Sequence, residues 1–459
     1  MTGTSLECVV DPTVRAAAAE KLNIDHTRTR RHVHTFKQGN QNYEVTFSPL
    51  APCGRNGEYI LGSMSGFGSF SAVFSAYKQS EDLVVALKIS PLTDGQAEEE
   101  AMSHFSHPNV LSLIDSFTVP VVTDRVESPD PFAALQNSDV TLHVLVLKWL
   151  PSTVSVFANP KPSVSPPSRY LPLGTFMRIA EQLLSALEHI HSKGWCHLDV
   201  KAANVMCSSF NTAEPTVYLG DLNSAEVERT SRRTDYLVTR SSRAPEVVLG
   251  LKITKAVDVW GLACVLMELL LGEPLFPAEN HIELISSMVE CLGMPPTHMI
   301  NACENRSLYF VCRQKLTEEE EKWDHPPLPA GVEIARSRGD RTVLYYRYTN
   351  PSASSSYERP DLDTADAVRT AGKKLGRGWH IRTSQSMKHY YYMNDPLAYS
   401  QWVRPRTRRL RTLIYAHYGL YFDCSAFPAF LSIIEEMLEW DPRCRITAKT
   451  ARERLDTLL

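Results

Sequence analysis

Residues 197–204 read HLDVKAAN, placing an aspartate, a lysine and an asparagine at Asp199, Lys201 and Asn204. A carboxylate at Asp199 suits orienting a substrate hydroxyl. The amide oxygen of Asn204 suits a metal ion, and the ammonium of Lys201 suits charge developing on a transferred phosphoryl group. So short a stretch decides little alone, and its weight comes from its surroundings. Asp221, in VYLGDLN (217–223), follows a short apolar run and offers a second oxygen ligand of the kind magnesium accepts while keeping several of its waters.

Upstream, EYILGSMSGFGSFSAVFSAY (58–77) and DLVVALKIS (82–90) read as strands around a glycine-rich turn, followed by a further strand. Gly66, Gly68, Ser71 and Val73 form the pattern G-x-G-x-F-S-x-V. Glycines there let backbone amides approach phosphates, with serine standing at the third position. Lys88, within VALK, returns on the next strand beneath that turn, where it can pair with phosphates. A lysine so placed needs an anion, and DGQAEEEAMSHF (94–105) reads as a helix carrying Glu98, Glu99 and Glu100. Glu98 is the candidate partner, with the register among the three left open. LHVLVLKWL (142–150) reads as a buried strand, whereas 119–140 and 151–172 read as loop segments rich in proline.

From Phe176 the hydrophobic period changes. Phe176, Ile179, Leu183, Leu187 and Ile190 predict a long amphipathic helix ending near Gly194, with further helices at 258–271, 281–292 and 427–440. The fold class is therefore α+β, a small β-rich lobe preceding a larger helical lobe. A chain of 459 residues with 43% hydrophobic and 22% charged residues is expected to be globular and multidomain. A formal net charge of −4 makes no general case for nucleic acid, and no apolar run approaches the length that spans a bilayer. Ten cysteines without a CxxC read as reduced thiols. The expected setting is the cytoplasm, with the nucleus as an alternative, and with neither nucleic acid nor membrane as partner.

Residues 313–411 interrupt the helical pattern with two similar stretches, LPAGVEIARSRGDRTVLYYRYTNPSASSSYERP (328–360) and LGRGWHIRTSQSMKHYYYMNDPLAYSQWVRP (375–405). Each runs from a hydrophobic residue after glycine, through paired tyrosines, to an aromatic residue before a proline. The repeat predicts a three-strand unit.

GFGSFSAV, VALK, HPNV, HLDVKAAN, GDLN, RAPE, DVWGLA and DPRCR occur in an order that resembles eukaryotic protein kinases, from about residue 58 to 455 apart from insertions. The resemblance implies a bilobal kinase fold that uses ATP and Mg2+. Lys88 and Glu98 would form an ion pair, Asp199 would be the catalytic base, and Asn204 and Asp221 would hold the metal. Ala86, Leu147, Trp149 and Leu150 would line the adenine site, with Glu246 and Arg445 as a structural ion pair. TDYLVTRSSRAPE (234–246) resembles the activation segment of mitogen-activated protein kinases, and 275–296 resembles the wider CMGC group that contains them. That group implies serine or threonine acceptors followed by proline, an upstream kinase acting on Thr234 and Tyr236, and Arg240 near the modified tyrosine.

Three motifs depart from the family's pattern. Leu198 stands where an arginine precedes the catalytic aspartate, so a phosphate on Thr234 loses one guanidinium partner. Leu222 and Asn223 replace the phenylalanine and glycine after the metal-binding aspartate, and Ser241 and Ser242 replace a Trp-Tyr pair. The stretch 375–405 resembles a WW domain. Trp379, Tyr392 and Pro405 would form its core, Asn394 would brace the turn, and Tyr391 with Trp402 would form a groove for a proline-rich partner. Gln385 stands where phosphate-binding relatives have arginine, and the first copy carries Val332 and Tyr357 in place of its tryptophans. SVSPPSRYLP (163–172) is a candidate internal ligand.

The expected organisation is a polar N-terminal extension (1–45), partly disordered apart from a short helix near Ala17 to Leu22. An N lobe (46–150), the first part of a C lobe (151–312), the insertion (313–411) and the end of the C lobe (412–459) follow. Two other readings compete with an active protein kinase. One is a nucleotide-binding scaffold that recruits proline-rich proteins, and the other is an enzyme of this fold acting on a small molecule.

Overall fold

The computed structural model describes residues 12–24, 31–38, 41–68, 71–122, 125–127, 139–155, 172–208, 215–228, 239–278, 280–303, 306–310 and 426–459, with Leu410 and short strands between 312 and 401. It comprises two units, Met1–Val156 with Arg178–Thr230, and Phe157–Met177 with Ser231–Leu459.

The first unit opens with α1 (Pro12–Lys21), β1 (His32–Gln38) and β2 (Gln41–Phe47). There follow β3 (Pro52–Cys53), β4 (Tyr59–Phe67), β5 (Ala72–Lys78), β6 (Leu83–Pro91), α2 (Leu92–Ser103), β7 (Leu113–Val122), β8 (Arg125–Glu127) and β9 (Asp139–Lys148). A six-stranded antiparallel sheet has the order β3-β4-β5-β6-β9-β7. Its pairing sets Leu87 opposite Val146 and Ile89 opposite Val144, while Lys88 lies opposite Leu145 and Ser90 opposite His143. Because side chains alternate across a strand, these two sets point to opposite faces. Lys88 and His143 turn towards α2, where each bonds a glutamate.

The other face is covered by the N-terminal hairpin. Phe36 and Val45 are buried in one cluster with Phe74, Leu87, Ile89, Leu142, Val144 and Val146, and Phe47 packs against it. The rings of Phe47 and Phe74 lie 4.7 Å apart, and His34 meets Phe36 edge-on at 4.6 Å. β1 pairs with β2 and β2 with β8, so residues 125–127 of the stretch expected as a loop supply a strand to this cover. The expected polar extension of residues 1–45 is therefore corrected: part of it is core. α1 joins in as well, with Ala18 and Ala19 buried beside Leu50, Ile60 and Tyr77. The physical reason is visible in β6 and β9, which are apolar on both faces and need two covers.

Beyond β10 (Ser152–Thr153), α3 (Leu173–Ser192) buries Phe176, Ile179, Leu183, Leu187 and Ile190, as its periodicity predicts, and Gly194 takes a left-handed φ of 84° just after its end. β11 (Trp195–Cys196), β12 (Val205–Cys207), β13 (Val217–Leu219) and β14 (Glu226–Val227) are short antiparallel segments that carry the loops between them.

The second unit is helical over its described kinase-like segments: α4 (Pro245–Val248), α5 (Ala256–Leu271), α6 (His281–Leu292), α7 (Thr297–Ala302), α8 (Arg306–Tyr309), α9 (Ala426–Met437) and α10 (Ala448–Asp456). Asn280 caps α6 by accepting from Glu283 N at 2.9 Å and donating to its carboxylate at 2.6 Å. Glu246 and Arg445, both fully buried, join through bonds of 2.6 and 2.9 Å. Arg445 donates further to the carbonyls of Glu439, Ala256 and Trp440, so the guanidinium enters the interior with its donors satisfied.

Within the insertion, β15 (Cys312–Arg313) pairs with β16 (Lys322–Trp323), and β17 (Val332–Arg336) with β18 (Leu344–Tyr348). β19 (Trp379–Thr383), β20 (Tyr390–Asn394) and β21 (Tyr399–Gln401) form a three-stranded antiparallel sheet with Trp379 opposite Asn394. Among the described residues the second copy thus has the predicted strand count, whereas the first shows two strands.

Phe36→Ala should lower the unfolding free energy by about 3–5 kcal/mol, the usual cost of emptying a buried phenylalanine site. Urea denaturation would measure it, and a loss under about 1 kcal/mol would mean the hairpin is not part of the core.

Candidate active site

The strand β6, the helix α2 and the loop after β13 converge on one ammonium group. Lys88 Nζ lies 2.7 Å from the Glu98 carboxylate and 2.6 Å from Asp221 Oδ1. Lys88 is 7% exposed and Glu98 2% exposed, which settles the register left open among the three glutamates. Glu98 faces in, Glu99 binds His143 and Ser116, and Glu100 is exposed. Gly95 lets α2 come this close, since a Cβ there would stand 2.4 Å from the His143 Cβ.

Burial works against the ammonium of Lys88, yet Glu98 and Asp221 outweigh it and hold its pKa above that of ordinary lysine. Burial raises the Glu98 carboxyl above the usual range, opposed by Lys88 and reinforced by Asp221. Burial also opposes ionisation of Asp221, but Lys88, with His197 and Lys201 contributing, takes it below the ordinary range.

The loop after β11 builds the second half of the site. Asn204 turns its amide nitrogen to Asp199, donating to the backbone carbonyl at 2.9 Å and to Oδ2 at 3.1 Å. Lys201 Nζ donates to the same Oδ2 at 2.6 Å. His197, fully buried, donates from Nε2 to Gly220 O at 3.0 Å and accepts at Nδ1 from Asp199 N at 3.3 Å. One imidazole thereby joins the Asp199 loop to the Asp221 loop, and Gly220 N donates to Asn204 O at 2.9 Å as a second tie. The sequence contains His197 within its opening stretch, but spacing alone did not mark it as the connector.

Two residues here hold left-handed backbone conformations, Leu198 at φ 67° and Asp221 at φ 61°. Such a conformation costs a non-glycine residue roughly 1–2 kcal/mol, and its persistence beside reactive groups marks an over-determined site. Leu198 occupies the interior, 3% exposed, with an apolar side chain where the resemblance leads one to expect a cation.

The residues present fit a magnesium ion. Asn204 commits its amide nitrogen to Asp199, leaving its carbonyl oxygen as a ligand atom, and Asp221 uses Oδ1 on Lys88, leaving Oδ2. Above Lys88, Val73 pairs across the strands with it, and Ala86 with Leu147. Gly68 N donates to Ser71 O at 2.8 Å, and a Cβ added at Gly66 or Gly68 would meet nothing within 4 Å. The space beside these glycines is open, while the Gly68 amide is committed to the turn. Leu147 is buried, and Trp149 and Leu150 are half-buried just beyond β9.

Other expected residues belong to the second unit. Arg240 is exposed on a short turn, Arg240–Ser242, of the second unit. Tyr391 lies on β20, and Thr234, Tyr236 and Trp402 fall outside the described residues.

Comparison with known families finds a match to the protein kinase domain over residues 59–455. Homeodomain-interacting protein kinase 1 of Caenorhabditis elegans is 28% identical over 272 residues, covering 58% of this chain and 29% of that protein. The probable serine/threonine-protein kinase glkA of Dictyostelium discoideum is 26% identical over 256 residues, 55% of this chain and 48% of that protein. Protein kinase gsk3 of Schizosaccharomyces pombe is 29% identical over 250 residues, 53% of this chain and 58% of that protein. The alignments thus span between 29% and 58% of these curated relatives.

Lys88→Met should leave two carboxylates without their shared cation and cost about 3–5 kcal/mol of stability at neutral pH. Burial and Asp221 already raise the Glu98 pKa, and Lys88 restrains it together with a backbone hydrogen bond from Leu222, so the variant's Glu98 should accept a proton more readily still. A carboxyl whose folded pKa is raised penalises the fold above that pKa and relieves it as pH falls. Urea midpoints at pH 7 and pH 5 should therefore converge between variant and parent, and a gap independent of pH would refute this electrostatic account.

Proposed function

This chain belongs to the protein kinase domain family, and from that premise we propose that it transfers the γ-phosphoryl group of ATP to protein hydroxyls in a magnesium-dependent reaction. The observation that carries the reading is the paired arrangement of Lys88 with Glu98 and Asp221 beside Asp199 with Lys201 and Asn204, all in one unit. Asp199 orients the attacking hydroxyl and accepts its proton. Lys201, already bonded to Asp199, meets charge on the transferred group. Lys88 binds the α and β phosphates, and the open space beside Gly66 and Gly68 lets them approach the glycine-rich turn. Magnesium, held by Asn204 and Asp221, would supply charge neutralisation on the phosphate oxygens.

Serine or threonine acceptors are favoured, in keeping with the printed name of the Dictyostelium relative. Acceptors followed by proline remain the finer proposal, carried by the resemblance of 234–246 to a mitogen-activated protein kinase segment. An upstream kinase would act on Thr234 and Tyr236. The buried Leu198 supports a site whose assembly does not depend on an arginine reading that phosphate. For the insertion, the antiparallel three-stranded sheet from Trp379 to Gln401 supports a proline-motif module with Tyr391 and Trp402 as its groove. A cytoplasmic or nuclear setting belongs to the same proposal.

The deciding assay measures phosphate transfer from labelled ATP to generic protein and Ser-Pro peptides, with magnesium present and absent. Asp199→Asn should lower turnover by about a hundredfold to ten-thousandfold, the range a positioned general base contributes. Absence of transfer from unmodified protein and from protein phosphorylated on Thr234 and Tyr236, with magnesium-ATP still bound, would favour the scaffold reading. Separately, a proline-rich peptide should bind the full chain and lose affinity at least about tenfold in Trp402→Ala, since aromatic anchors dominate such interfaces. Unchanged affinity in a titration would remove Trp402 from the groove.

A further inference from the structure

The buried ion pair depends on how α2 is held, and the neighbouring glutamate supplies a hold. Glu99 Oε2 lies 2.7 Å from His143 Nε2 on β9, and Glu99 Oε1 accepts from Ser116 Oγ on β7 at 2.5 Å. One carboxylate thus grips two adjacent strands of the sheet. Consecutive helix positions differ by about 100° in direction, so gripping the sheet through Glu99 fixes the rotation that aims Glu98 at Lys88. The contact is close because Gly95, a turn earlier, has no side chain to hold α2 off His143. His143 is 4% exposed and its Nδ1 has no hydrogen-bond partner, so Glu99 provides the ring's described polar contact.

We infer that Glu99, His143 and Ser116 form a latch that keeps α2 in the orientation required by the Lys88–Glu98 pair, making Glu99 a positioning residue for phosphoryl transfer. The need for such a latch follows from the chemistry at Lys88. Lys88 sits between Asp221 at 2.6 Å and, at 2.7 Å, the Glu98 carboxylate, which is 2% exposed. A helix free to rotate or slide would let that carboxylate reach water, leaving Lys88 without its orienting partner. The latch opposes this with bonds made to rigid strands, within the same unit and independent of any modified residue. This proposal rests on the kinase reading for its catalytic consequence, while the structural latch is testable without it.

Glu99→Ala should lower kcat about tenfold, the size of a lost charge-assisted hydrogen bond, with little change in KM for a protein substrate. Glu99→Gln should stay within about threefold of the parent, because an amide bonds both Ser116 and the other tautomer of His143. In a Glu98→Gln background, Glu99→Ala should add little further loss, since it acts through Glu98. Full additivity would overturn the inference, as would failure of glutamine to rescue. Hydrogen exchange across residues 95–103 supplies the second arm and needs no activity. Faster exchange in Glu99→Ala, with the six-stranded sheet unchanged, supports the latch, and unchanged exchange overturns it. A parent protein that transfers no phosphate, yet shows this exchange pattern, would retain the latch while removing the catalytic reading.

Discussion

A single buried ammonium organises the first unit. Lys88 arrives on a strand, Glu98 on a helix and Asp221 on a loop, and the buried Lys88 and Glu98 could not enter the interior without each other, while the partly exposed Asp221 adds a second anion. Desolvating an isolated charge costs far more than a domain's net stability, so the ion cluster and the packing that closes around it form together. Every feature nearby serves that closure. Gly95 admits the helix to the sheet, the alternation of β6 points Lys88 to the helix while Leu87 and Ile89 enter the opposite core, and Phe36 and Val45 seal that core from the other side. With its far face covered, the sheet is a rigid base from which a lysine can be aimed.

The loops that carry Asp199 and Asp221 show a different use of stability. Both Leu198 and Asp221 adopt left-handed conformations, uncommon for a leucine and more readily reached by an aspartate, and the surrounding hydrogen bonds hold them there. His197 bonds Gly220 and Asp199, while Asn204 bonds Asp199 and receives Gly220 N. The two loops therefore cannot relax separately. A leucine at 198 adds apolar burial to this arrangement instead of a charge that would need its own partner. In the second unit, Arg445 shows what a buried guanidinium demands: a carboxylate and three carbonyls.

Spacing made much of the site legible in the sequence. Asp199, Lys201 and Asn204 lie within one loop, and Lys88 follows the glycine-rich turn on the adjacent strand, so local geometry and chain order carry the reading. The choice among Glu98, Glu99 and Glu100 was not legible, because it depends on how α2 meets the sheet, and that is set by Gly95 against His143. The N-terminal hairpin was missed for a related reason. HVHTFKQ and QNYEVTF flank Gly39 and Asn40, a recognisable hairpin signal, but their polar alternation reads as an exposed extension when taken alone. The missing signal lay elsewhere, in the two-sided apolar character of VVALKIS and LHVLVLKWL, which calls for a second cover.

Leu198 and Glu99 take on a common meaning when considered together. An enzyme that assembles its site through a phosphate needs a cation near the catalytic aspartate to read that phosphate and a helix loose enough to respond. Here the position before Asp199 is apolar and buried, and the helix bearing Glu98 is bonded through Glu99 to β7 and β9. Both features act in the same direction, holding the determinants of the site within the packing of Met1–Val156 and Arg178–Thr230, while Thr234 and Tyr236 belong to the other unit. A site held by packing stays assembled as long as the fold does, so control over such a chain falls most naturally on which proteins it is brought to. Under the proposed function, the insertion whose second repeat forms a three-stranded sheet would supply that selection through its proline-motif groove.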